Sequence, residues 1–143
     1  MLNHYLRKLL SAAILIGSTS CYAGNLVVIA NPGSGVTALT QDDVSRIFLA
    51  KTKSFPNDKP ALPINQNEGS AVRAAFEEKV LKKTPSQVNA YWTQLLFTGK
   101  GTPPKDAGAD ADVKKLVADN PNVVGYIDSG SVDASVVVVY TAE

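Results

Sequence analysis

The sequence predicts an α/β domain, a mostly parallel sheet covered by helices on both faces. Continuous or β-branched apolar runs mark strands at Leu26–Ala30, Leu62–Ile64, Val123–Ile127 and Val136–Tyr140. Between them lie segments whose apolar residues recur at three and four positions, the helical spacing. The resulting order, β-α-β-α-α-α-β-β, spaces strands with helices, and such spacing favours parallel crossovers.

In chain order, Leu26–Ala30 is apolar at every position and reads as a strand buried on both faces. The loop Asn31-Pro32-Gly33-Ser34-Gly35 ends it. Two glycines two apart suggest a dinucleotide fingerprint, but Ala38 stands where its third glycine belongs, and no suitable acidic residue follows. The loop reads as a turn, the alternative being that its amides face a ligand cleft. Thr40 caps the first helix, Asp42 and Asp43 favour its dipole, and Val44, Ile47 and Phe48 form its inner face. Lys51–Pro60 reads as loop.

The second strand runs into Asn65-Gln66-Asn67-Glu68-Gly69-Ser70 and then a helix carrying Val72, Ala75, Phe76 and Val80. Thr84-Pro85-Ser86-Gln87 is a capping box with proline at the first helical position, and Gly99 stops that helix. Its Val88, Tyr91, Trp92 and Leu95 share a face, which makes the aromatic pair core residues ahead of a stacking platform for a base or sugar. Thr98-Gly99-Lys100-Gly101-Thr102 lacks the spacing of a phosphate-binding loop. Pro103–Ala109 reads as a linker, and Asp110 as the cap of a short helix with Val113, Leu116 and Val117.

The first 23 residues read as an address. Arg7 and Lys8 precede the apolar run Leu9–Ile16, which is too short to span a bilayer, and small residues lead to a cut after Ala23. A lipid anchor on Cys21 is disfavoured, because Ser18 stands where an aliphatic residue is expected. Residues 24–143 are then expected to be one exported, soluble domain, with no membrane insertion after cleavage. The charge falls from +1 to −1 as Arg7 and Lys8 leave. A near-neutral balance without a basic run speaks against nucleic acid as a partner.

The single histidine, His4, and the single cysteine, Cys21, both fall in the leader. The remaining residues therefore hold no thiol nucleophile, no serine–histidine triad and no histidine-ligated metal. Most hydrolytic chemistry is thereby removed; carboxylate or lysine chemistry stays open but no spacing favours it, and the expectation is a non-enzymatic domain without a cofactor.

The stretch Gln66–Arg73 is the candidate site. Gly69 lets backbone approach a ligand, Ser70 caps the helix or hydrogen-bonds a guest, and the first-turn N–H groups offer an anion seat. An ordinary capped turn is the competing interpretation.

Several fragments, in this order, resemble the phosphate-binding proteins of bacterial ABC transporters. They are Asn31-Pro32-Gly33, Leu39-Thr40 to Phe48 with Lys51, Asn67-Glu68-Gly69-Ser70 to Phe76, Tyr91-Trp92, and Asn120-Pro121 to Gly125-Tyr126. The likeness runs from about Leu26 to Val139, against the second of that family's two lobes. It implies a single lobe of a type II periplasmic binding protein-like fold, with phosphate or a similar oxyanion held at Gln66, Asn67, Glu68, Gly69, Ser70 and Arg73. The family's Arg-Ser-Asp-Gly-Ser-Gly-Thr pattern has Gln66 in its arginine position, Glu68 in its aspartate position and Ala71 in place of its second glycine. Arg73 is the substitute cation, since helical side chains lean toward the N-terminus. Glu68 would accept the proton of a monohydrogen phosphate. With one lobe only, the site is half a cleft that a partner protein or a second copy would complete. The alternative is a periplasmic interaction module that keeps the lobe and has lost the ligand.

Overall fold

Five strands and four α-helices account for most of residues 24–143, the part described by the computed structural model. The leader and its cut lie outside the described residues. The strands are β1 (Leu26–Ala30), β2 (Leu62–Asn65), β3 (Lys105–Asp106), β4 (Val123–Asp128) and β5 (Val137–Ala142). The helices are α1 (Gln41–Phe48), α2 (Ala71–Lys79), α3 (Pro85–Thr98) and α4 (Asp110–Asp119).

The caps that the sequence announces at Thr40, Thr84 and Gly99 are formed. Thr40 and Thr84 each accept from the third helical N–H, and Asp43 and Gln87 return the bond, closing two capping boxes. Gly99 ends α3 at φ 68°, a left-handed conformation that costs glycine no Cβ clash. At α4, Asp110 is the first helical residue and not the cap. The Ala109 N–H is met instead by Asp112 Oδ2 at 3.0 Å. The Asp110 carboxylate is thereby left for the contacts described below.

The sheet order is β3-β2-β4-β1-β5. It is mixed, which corrects the mostly parallel expectation. β2 pairs parallel with β3 and β4, whereas β1 runs antiparallel between β4 and β5. Helical spacers indicate crossovers but not which strand is inserted between which. The burial of all five β1 residues marks it as central without giving its direction. The second correction is β3, a two-residue edge strand inside the segment expected to be linker.

Alternation along the strands divides the core. Leu26, Val28, Val124, Tyr126 and Val139 face α1, α2 and α3, while Val27, Ile29, Val123 and Ile127 face α4. Gly125 explains the break in the β4 pattern. A Cβ there would stand 2.5 Å from Val113 Cγ1, so glycine lets α4 lie close on the sheet. Trp92 is buried as expected. Tyr91 is half-buried, its hydroxyl donating to the Leu49 carbonyl at 2.6 Å.

Candidate functional site

The stretch Gln66–Arg73 leaves the C-terminal end of β2, at the level of Tyr126 in the parallel neighbour β4. The N-termini of α2 and α4 meet there. Crevices at the carboxyl ends of strands are where ligands gather in open α/β sheets. The loop 31–35 is elsewhere: Asn31 Nδ2 donates to the Val117 and Ala118 carbonyls at the far end of α4. Its amides do not share the α2 cleft, and antiparallel β1 is the reason, since it carries its C-terminal loop to the opposite sheet end.

Gln66 is buried and fully engaged. Its Nε2 donates to Asp110 Oδ1 at 2.6 Å and to the Tyr126 carbonyl at 3.0 Å, and its Oε1 accepts from Ser70 Oγ at 2.9 Å. Ser70 also caps α2, its Oγ accepting from the Arg73 N–H at 3.3 Å. Asn67, Glu68 and Gly69 are exposed on the turn. The Asn67 N–H donates to the Gly108 carbonyl, and the Asn67 carbonyl accepts from the Ser70 N–H. Gly69 adopts φ 83°, with open space where a Cβ would be.

Arg73 does lean back toward the turn, but it lands on internal partners. Nε meets Glu77 Oε1 at 3.2 Å, and Nη1 donates to the Gln66 carbonyl at 3.0 Å and to Asp106 Oδ1 at 2.9 Å. Burial works against its charge, yet the Glu77 hydrogen bond and the negative groups around it hold its pKa above the ordinary value. Beneath lies Tyr126, stacked on Phe76 with ring centroids 3.9 Å apart. Its hydroxyl donates to Asn65 Oδ1 and accepts from the Gln66 N–H, and burial pushes its pKa well up. Asp110 completes the group, accepting from the Asp128 N–H and Ser131 Oγ through its other oxygen.

One guanidinium therefore shares a network with the carboxylates of Glu77, Asp106 and Asp110. Among the described residues, no buried side-chain nitrogen or oxygen lacks a partner, and no cluster of acidic, histidine or cysteine side chains could hold a metal. The N–H groups of Gly69, Ala71 and Val72 are different. They donate to nothing among the described residues and lie at the positive end of a nine-residue helix. The sequence signalled Glu77 by its i,i+4 spacing from Arg73. Asp106, Asp110 and Tyr126 reach the site only through tertiary contacts.

No family model and no curated protein matches the chain. Solved structures do. A Clostridium perfringens protein described as a phosphate ABC transporter substrate-binding protein, solved with bound phosphate, aligns with TM-score 0.66 and 24% identity over 81% of this chain and 44% of its own. An ABC-type phosphate transport receptor from Vibrio cholerae gives 0.66 and 23%, over 81% and 45%. PstS from Borrelia burgdorferi gives 0.62 and 15%, over 81% and 46%. The chain spans less than half the length of each. Its five-stranded open sheet flanked by helices has the fold of a lobe-sized part of the phosphate ABC transporter substrate-binding proteins.

Proposed function

We propose that this chain is an exported, non-enzymatic, solute-binding-like lobe of the periplasm. It takes a protonated oxyanion, phosphate first, weakly at the first turn of α2. The observation that carries this reading is the set of unspent N–H groups at Gly69, Ala71 and Val72 beside Arg73, in a fold shared with a protein solved with phosphate. Ser70 supports the turn, and exposed Glu68 accepts the proton that distinguishes phosphate from sulfate. Gln66 and Asn67 build the turn from behind.

Hydrogen bonds to a charged group contribute about 1.5–3 kcal/mol each, but association costs several kcal/mol, and an open half-site is wet. Arg73 must also share itself between the guest and Asp106. A net of about −4 to −5.5 kcal/mol corresponds to Kd on the order of 0.1–1 mM. A partner protein or a second copy would exclude water and tighten the site.

The closed state of Arg73 favours a second reading, an interaction lobe in which Asp106 stands where a guest anion would and no ligand is taken. A phosphate titration followed by NMR separates the two. Shifts confined to amides between Glu68 and Arg73, weakened by Ser70→Ala and Arg73→Ala, are expected. Silence in those amides leaves the interaction lobe standing.

A further inference from the structure

A half-open groove of about 860 Å3 lies beside β2, between the C-terminal ends of α1 and α3 and the segment 99–105. Buried Phe48 and Trp92 line it together with the exposed Leu62, Leu96 and Pro103. Leu62 and Leu96 are 56% and 53% exposed, and Phe97, next to Leu96 on the last turn of α3, is 93% exposed. Large apolar side chains at such exposure mark a binding surface when they gather. Lys53, Lys100 and Lys105 also line the groove, and no carboxylate does. None of these three lysines forms an ion pair among the described residues.

We infer that this groove is a binding site for a small amphipathic carboxylate. Its alkyl chain lies over Leu62, Leu96 and Trp92, and its carboxylate sits among the three lysines. The volume falls in the range of small-ligand sites, which are mostly apolar with a few placed polar groups. The wall formed by β2 selects against an extended peptide. Pro63 has no N–H, and the Leu62 N–H is spent on the Asn122 carbonyl at 2.7 Å. A strand laid there would find no N–H donor for its carbonyls at Leu62 or Pro63, whereas an alkyl chain has no polar group to satisfy. The lysines exclude a cationic amphiphile by repulsion.

Trp92, the chain's single tryptophan, reports on the groove directly. Dodecanoate, titrated below its micelle concentration, is expected to change Trp92 emission saturably. Dodecyltrimethylammonium, with the same chain and opposite charge, should bind about tenfold more weakly or worse, a difference of about 1.4 kcal/mol. Leu96→Glu should abolish the response, and Lys100→Glu with Lys105→Glu should weaken it about tenfold. These side chains are exposed, so the variants are expected to fold, and thermal melts check it. If Leu96→Glu melts early, the lysine pair decides alone. An equal response to both amphiphiles, a response without saturation, or one indifferent to the lysine pair overturns the assignment. A helical leucine–glutamate peptide that binds more tightly than dodecanoate also overturns it, making the groove a helix-docking face.

Discussion

The turn at the end of β2 and the groove beside the same strand lie a few residues apart and treat solvent in opposite ways. Around the turn, Gln66, Ser70, Arg73, Glu77, Asp106, Asp110 and Tyr126 consume one another's hydrogen bonds. Along the groove, Leu62 and Leu96 stand open to water beside lysines that form no ion pair among the described residues. A buried polar group left unpaired costs about 1–3 kcal/mol, so a fold recruits partners for it from its own chain. Exposed apolar surface has no such local remedy, and where it gathers it marks a place for another molecule. A tightly wired cluster is thus a weaker sign of a ligand than an unfinished surface.

That contrast is open to test from both sides. Trp92→Ala strikes the buried lining of the groove, which is also core, and should cost about 3–5 kcal/mol in urea unfolding. A variant as stable as the parent would make that lining a surface and detach the groove from the fold. Tyr126→Phe strikes the wired cluster. It strips Asn65 Oδ1 of its donor and the Gln66 N–H of its acceptor, and should cost about 1–3 kcal/mol at neutral pH.

Tyr126 also sets an alkaline limit. Its folded pKa is raised above the ordinary 10.0, so the folded state keeps a proton that the unfolded chain gives up. The stability this contributes is fully present below about pH 10 and is lost as pH rises above that value. Stability measured across this range should therefore fall more steeply in the parent than in Tyr126→Phe. Burial raises the Tyr91 hydroxyl as well, so Tyr91→Phe is the control for a general tyrosine effect.

Ser70→Ala removes the α2 cap and the donor to Gln66, and thermal or urea unfolding should register about 1 kcal/mol. The smallest effect is the most informative about ligand. Asp106 is half-exposed, and its pair with Arg73 should contribute less than about 1 kcal/mol, so Asp106→Asn should leave stability nearly intact. With the competing charge gone, phosphate affinity measured by calorimetry should rise about two- to fivefold. An unchanged or absent affinity favours the interaction lobe.

Local chemistry was legible in the sequence wherever a few neighbouring residues decide the outcome. Thr40 with Asp43, and Thr84 with Gln87, announce helix starts because the capping bonds span three residues. The five apolar residues of β1 announce burial on both faces, and the Gly69-Ser70 turn announces an open backbone before a capped helix. The resemblance in fragment order anticipated the lobe fold that the solved structures share. Tertiary structure decided the rest. It inserted β1 antiparallel between β4 and β5, drew Lys105–Asp106 out of an apparent linker onto the edge of β2, and spent Arg73 on Asp106, 33 positions along the chain. Caps and periodicity depend on bonds within one turn, which the order of residues specifies. Strand direction, edge pairing and the partner of a buried charge depend on which distant segments share a volume, and only the packed chain determines that.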